Sequence, residues 1–278
     1  MAITAQDVNK LRNVTGAGMM DCKKALDESG GDFDGAIEIL RKKGQKVSAS
    51  RADRDAKEGA VFAQVASGNM AAVILELNCE TDFVARNDDF QNLGNAIAAK
   101  ALAAKASTPE AGRELKMDDG RSVQEHLTDA MGRIGEKIDL SKLTYMEGEY
   151  VAAYIHPGAK VGVLVGFKNT DGMDLATAGK DVAMQIASMS PLSVDKDGVD
   201  ASIVEKETEI ARDQARAEGK PEAVVEKIAL GKVEKFYKER TLLHQEFVKD
   251  PSITIAEYLK RIKAGLTVAD FKRIHLGA

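Results

Sequence analysis

The sequence predicts an α+β protein with a three-helix module at the N-terminus, a core of two related halves, and an antiparallel helical hairpin projecting into solvent. Three observations carry this reading. Helix starts and stops punctuate the first 44 residues at short intervals. A pattern of two strands followed by a helix begins at Gly59 and returns about ninety residues later, at Gly148. Between Ile203 and Phe236, apolar residues form only a narrow seam in a strongly charged stretch.

In the N-terminal module, Thr4 and Asp7 make a capping-box-like start, and Val8, Leu11 and Val14 share one helical face. "TGAG" (Thr15–Gly18) stops that helix, and a second is expected from about Met19 to Ser29 with Ala25 and Leu26 inward. Gly30-Gly31 breaks it. Asp32 can cap a third helix carrying Ala36, Ile37 and Leu40, and Gly44 is read as its end. The stretch "QKVSASRADRDAKEG" (Gln45–Gly59) is polar and aperiodic, and Arg41 to Lys57 carries seven basic residues against two acidic. It reads as a solvated linker in preference to a phosphate-binding patch.

"GAVFAQVASGNMAAVILELN" predicts two strands joined at Ser67-Gly68-Asn69, followed by a helix through about Lys105. "GEYVAAYIHPGAKVGVLVGFK" predicts a second hairpin turned at Pro157-Gly158, followed by a helix over Leu175–Met189. Val123, Leu127, Met131, Ile134 and Ile138 trace another helix between the two units. Of the 36 residues from Glu205 to Arg240, 18 are charged, and "GKP" (Gly219–Pro221) divides them with Pro221 placed to start a helix. Such an arm is expected to project into solvent and touch a partner. One helix (Ile255–Lys263) and a final strand through Ile274 complete the chain.

Composition narrows the function. At 278 residues, 44% hydrophobic and 30% charged, the chain can form two or three compact units. Only 5% of residues are aromatic and Trp is missing, so a helix-rich protein with small core side chains is expected. No run approaches the roughly 18 apolar residues of a membrane span, and "MAITAQDVNK" lacks a signal-peptide pattern. Cys22 and Cys79 form no CxxC pair, which points to a reducing cytoplasm. A net charge of −5 argues against a general nucleic-acid binder, leaving protein partners as the expectation.

A search for reaction chemistry finds none of the phosphate-binding, dinucleotide, zincin or nucleophile-elbow motifs. His126, His156, His244 and His275 are scattered, with no second ligand at metal spacing, so neither metal nor cofactor is expected. Asp82 and His156 could form an acid–base pair if the two halves bring equivalent loops together, but no nucleophile accompanies them.

The junction "TDFVARNDDF" (Thr81–Phe90) joins a predicted strand to a predicted helix, a position where rigid flanks fix a loop. Asp82 reads either as a cap for a short turn or as a docking carboxylate. Phe83 and Val84 are adjacent, so one faces inward and the other outward, and an outward Phe in a rigid turn is an interface anchor. Met19 and Met20 lie about 100° apart on their helix, so at most one is central to its core.

"LRNVTGAGMMDCKKAL" (Leu11–Leu26) and "NCETDFVARNDDFQ" (Asn78–Gln91) closely resemble the two signature motifs of the bacterial elongation factor Ts family, the guanine-nucleotide exchange factors of elongation factor Tu. The similarity continues through "IGEKI" (Ile134–Ile138), "YIHPGAKVGVLV" (Tyr154–Val165) and "GKPEAVVEKIALGKVEKF" (Gly219–Phe236), and so spans nearly the whole chain.

The resemblance implies a ubiquitin-associated-like module with basic linker at 1–54, a first core subdomain at 55–147, a second at 148–190 and 239–278, and a coiled-coil hairpin at 191–238. It implies that Thr81, Asp82, Phe83 and Val84 form a tip that enters elongation factor Tu and helps dislodge the nucleotide's magnesium ion. Partner contacts carry over to Arg12, Met19, Met20 and Lys23 in the N-terminal module, and to Ile134, Gly135 and His156 in the core. The implied partner is elongation factor Tu, in a one-to-one complex or a dimer of such pairs, with no nucleic acid, membrane or covalent chemistry involved. The resemblance departs at the C-terminus, where family members continue into a short tail module and this chain stops at "FKRIHLGA". The rival readings are a small hydrolase using Asp82 and His156, and an adaptor whose N-terminal module captures ubiquitin-like or nascent-chain ligands.

Overall fold

In the computed structural model, which describes residues 3–51 and 53–278, helices and antiparallel sheets together make an α+β fold. Met1, Ala2 and Ala52 of the expected N-terminal module lie outside the described residues.

Helices α1 (Ala5–Thr15), α2 (Met19–Glu28) and α3 (Phe33–Arg51) form the first unit. The capping box is present. Thr4 Oγ1 accepts from the Asp7 amide at 3.2 Å, and the Asp7 carboxylate accepts from the Thr4 amide at 3.0 Å, satisfying two otherwise orphaned donors. Val8, Leu11, Cys22, Ala25, Leu26 and Ala36 bury the small core, with Phe33, Ile37 and Leu40 packed around it.

Gly44 does not end α3. The helix runs through it to Arg51, so half of the expected linker is helical. The physical reason is packing. A Cβ on Gly132 would come within 2.8 Å of the Gly44 Cα, so the two glycines let α3 cross α7 (Val123–Ile134) with backbone nearly touching backbone.

The first half continues with strands β1 (Glu58–Val65) and β2 (Ala71–Cys79), helices α4 (Asp82–Ala85), α5 (Asp88–Ala104), α6 (Pro109–Glu114) and α7, and strand β3 (Ile138–Glu147). The sheet order is β1-β2-β3, antiparallel throughout. Ile138 therefore belongs to a strand and not to the helix of Ile134. Gly135 adopts φ 81° and its N–H bonds the Met131 carbonyl, which stops α7 at Ile134.

The second half contains β4 (Tyr150–Ile155), β5 (Val161–Lys168), helix α8 (Ala176–Met189), the paired helices α9 (Ala201–Ala217) and α10 (Glu222–Arg240), a short hairpin β6 (Glu246–Phe247) and β7 (Asp250–Thr254), helix α11 (Ile255–Ile262) and β8 (Thr267–His275). Its sheet order is β4-β5-β8.

The two sheets face one another between outer layers of helix. Strand side chains alternate between faces. Val73, Leu75 and Leu77 of β2 therefore meet Phe90, Ile97 and Leu127 of the helices, while Ala72 and Ile74 meet Val151, Leu164 and Ile274 of the other half. Both faces of β2 are covered, which explains the continuous apolar run Ala71–Leu75 at its start. The far face of the second sheet, with Val163, Val165 and Phe167, packs on Val182, Ile186 and Leu259.

Helices α9 and α10 pack along a seam of Ala211, Ala215, Val225, Ala229 and Val233. Arg212–Glu226 at 2.8 Å and Arg216–Glu222 at 2.7 Å cross between them in antiparallel order. Exposed pairs of this kind contribute at most about 1 kcal/mol each, so the seam and the stitched base hold the arm. At that base the Leu192 amide donates to the Arg240 carbonyl and the Leu242 amide to the Ser193 carbonyl, both within 2.9 Å.

Candidate functional site

The Thr81–Val84 junction is built by a strand end, a cap and a clamp. Strand β2 ends at Cys79, and Thr81 is the N-cap of α4, its extended backbone letting Oγ1 accept from the Val84 amide at 3.4 Å. Thr81, not Asp82, therefore does the capping. Asp82 begins the single helical turn and pairs with Arg86 at 2.8 Å. Val84 packs against the core of the first half and Ala85 is buried, which forces their neighbour outward. Phe83 is 82% exposed, the most exposed large apolar side chain among the described residues.

An aromatic ring in water on a four-residue turn needs that turn to be held. The Thr81 N–H and hydroxyl both donate to the Glu136 carboxylate, at 3.0 and 2.8 Å. The Thr81 carbonyl accepts from the buried Cys79 thiol at 3.1 Å and from the Ala85 amide at 3.2 Å. Burial, reinforced by Glu136, pushes the Cys79 thiol up to about 12, so it stays protonated and able to donate.

One residue earlier, Glu80 accepts from the Lys137 amide at 2.7 Å and pairs with Arg51 at 3.1 Å and Arg54 at 3.0 Å. The Lys137 amide, then Arg54 and Arg51, hold its carboxyl below the usual range. The end of α3 is thus tied to the residue preceding the tip.

The other predicted site residues fall into two groups. Ile134 and Gly135 end α7, immediately before Glu136 and Lys137 of the clamp. His156 begins the Pro157–Lys160 turn, its Nδ1 3.1 Å from the Tyr154 hydroxyl. That turn reaches the first sheet. The Ala159 carbonyl accepts from the Val61 amide at 2.8 Å, and Lys160 pairs with Glu58, the residue opposite Cys79 in the β1–β2 register. The tip, Ile134–Gly135 and the His156 turn thus gather at one end of the sheets. Asp82 and His156 have separate partners, Arg86 and Tyr154, and the structure records no bond between them.

Arg12, Met19, Met20 and Lys23 lie on the N-terminal unit, Met19 and Met20 being 54% and 64% exposed. Both methionines face out while Cys22, Ala25 and Leu26 face in. Gly16, just ahead of them, lies against Arg133: a Cβ there would be 3.0 Å from Arg133 Cδ, so this loop borders the residue preceding Ile134.

A cavity of about 270 Å³ sits behind this loop, between the N-terminal unit and α7, lined by residues including Ile37, Leu40, Asp129 and Arg133 but none of the tip. The exposed features form a surface, not a reaction pocket. Among the described residues no group of three His, Cys, Asp or Glu side chains could hold a metal ion, and no helix is long and apolar enough to cross a membrane.

Sequence reasoning missed Glu136, Glu80, Arg51 and Arg54. No local signal marks Glu136, whose partner is 55 positions away.

Comparison with known proteins completes the picture. The family described as elongation factor TS matches over residues 80–278, which includes Phe83, Glu136 and the paired helices. The chain is 56% identical to an elongation factor Ts of Cytophaga hutchinsonii, with 99% of each chain covered. It is 54% identical to one of Amoebophilus asiaticus and 46% identical to one of Porphyromonas gingivalis, each covered completely in both chains. The C-terminal departure expected from the sequence is not a departure from these relatives, whose own lengths are covered to 99–100%. The chain belongs to the elongation factor Ts family.

Proposed function

We propose that this chain is a translation elongation factor that binds GDP-bound elongation factor Tu, promotes GDP release and stabilises the nucleotide-free state until GTP binds. Family membership supports the exchange role. The observation that carries the mechanism is Phe83, an aromatic side chain held in water on a clamped single turn.

An exchange factor leaves the overall balance between GDP- and GTP-bound partner unchanged. It binds the nucleotide-free partner more tightly, and by linkage weakens nucleotide binding by the same factor. The partner's magnesium neutralises phosphate charge and holds its switch regions. An apolar wedge that shifts the elements around that ion weakens its ligation without any bond being made or broken in this chain. In this reading Thr81 and Val84 fix the tip, Asp82 docks it and Phe83 supplies the apolar contact. Arg12, Met19, Met20 and Lys23 grip the partner from the N-terminal unit, and Ile134, Gly135 and His156 from the core beside the tip.

The same reading divides the chain into a ubiquitin-associated-like module at 1–54, core subdomains at 55–147 and at 148–190 with 239–278, and a coiled-coil hairpin at 191–238. The three packed helices, the two sheet-bearing halves and the alanine-rich seam of the arm support that division. Site of action is the cytoplasm.

The test is release of fluorescent GDP from purified elongation factor Tu, with excess unlabelled GDP and increasing amounts of this chain. A large, saturable acceleration is expected. Binding without acceleration would overturn the displacing-tip mechanism, and the lack of both would overturn the exchange role.

A further inference from the structure

Thr81 is gripped at every polar backbone and side-chain atom it has. Its carbonyl is taken by Cys79 and Ala85, its hydroxyl accepts from Val84, and its N–H and hydroxyl hydrogen go to a single carboxylate, that of Glu136. Four-residue helices do not hold themselves, because nucleating a turn costs more than its one or two bonds return. The orientation of α4, and so the direction of Phe83, therefore has to be imposed from outside.

Glu136 is the one side chain from another element that bonds the Thr81 N–H, and it follows Gly135, whose left-handed backbone reverses the chain after α7. Glu80 returns the contact by accepting from the Lys137 amide. Two adjacent residues on each strand of this crossing thus bind one another reciprocally, and the bonds are charge-assisted, roughly twice as strong as neutral ones.

We propose that Glu136 is a positioning residue for nucleotide exchange: its carboxylate, bidentate on the Thr81 amide and hydroxyl, sets the direction of Phe83 without itself touching the partner. This inference rests on the exchange role proposed above. Misplacing a reacting or wedging group by about 1 Å can cost on the order of a hundredfold in rate, so loosening the clamp should act on the rate of GDP displacement and much less on docking, which many other residues share.

The experiment combines two measurements on Glu136→Ala, Glu136→Gln, Phe83→Ala and the Glu136→Ala/Phe83→Ala double variant. In the free chain, hydrogen exchange at the Thr81 amide should be at least about tenfold faster in Glu136→Ala than in the parent, since its acceptor is gone. In GDP release from elongation factor Tu, Glu136→Ala should lower the plateau rate about tenfold or more, with the half-saturating concentration changed less than about threefold. Glu136→Gln, which keeps one acceptor oxygen, should recover part of the plateau.

In the Phe83→Ala background the Glu136→Ala change should cost little more, because residues acting through one another are not additive. Equal Thr81 amide exchange in parent and Glu136→Ala would overturn the clamp itself. A lost clamp with an unchanged plateau, or full additivity with Phe83→Ala, would overturn the positioning role while leaving the exchange role standing. A parent chain that gives no acceleration at all would overturn the exchange role and this role with it, and the amide measurement would then report on the clamp alone.

Discussion

Gly44 of α3 and Gly132 of α7 oppose each other so closely that a side chain on either would meet the other's helix: a Cβ on Gly132 falls 2.8 Å from the Gly44 Cα, and one on Gly44 falls 3.3 Å from the Thr128 carbonyl oxygen. This crossing docks the N-terminal unit on the helix that ends at Ile134 and Gly135, so it fixes how the exposed methionines stand relative to the tip.

Gly132→Val should therefore open the crossing. Overpacking of this kind costs about 1–3 kcal/mol, read as a lower urea midpoint together with faster amide hydrogen exchange along α3. A useful contrast is Gly231 in α10, around which nothing lies within 4 Å. Gly231→Ala should stabilise the chain, by up to about 1 kcal/mol, through helix propensity alone. Equal effects of the two substitutions would contradict the close crossing.

Cys79 should resist alkylation in the native chain at pH 8, and react fully once unfolded in urea. The folded thiol lies near 12 against an ordinary 9.0, so the folded state holds its proton where the unfolded state loses it. Stability from this group is complete below about pH 9 and drains away as pH rises from there towards 12. Alkylation of native Cys79 at pH 8, followed by mass, is the check.

Asp119 gives the opposite sign. Hydrogen bonds from Arg121 and then His126 hold its carboxyl well below the ordinary 3.8. The folded state is favoured where the carboxylate is ionised, so its contribution is present above about pH 4 and is lost as pH falls further. Asp119→Asn should lower the urea midpoint at pH 6 and have a smaller effect at pH 2.5. A pH-independent difference would show that the pair does not carry this linkage.

Much of the fold was legible because its signals are local. The Thr4–Asp7 capping box, the Gly30-Gly31 stop and the Pro157-Gly158 turn each act over three or four residues, and the structure contains them as read. Gly44 was misread because a glycine that ends a helix and a glycine that lets two helices touch look the same in one sequence; only α7, some ninety residues on, distinguishes them. Ile138 was misread because it falls four residues after Ile134, at helical spacing, although Gly135 between them stops the helix.

At the candidate site, adjacency alone indicated that Phe83 or Val84 must face out, and the packing of Val84 decides which. Glu136 was not legible, since its role depends on a strand end and a helix end meeting across 55 positions.

The most direct test compares the parent chain with Phe83→Ala in release of fluorescent GDP from elongation factor Tu. Because Phe83 is 82% exposed, the substitution should leave the unfolding free energy within about 0.5 kcal/mol. The parent should accelerate release in a saturable way, and Phe83→Ala should lose about tenfold or more of that acceleration while remaining folded. Full acceleration by Phe83→Ala, or none by the parent, would contradict the displacing tip.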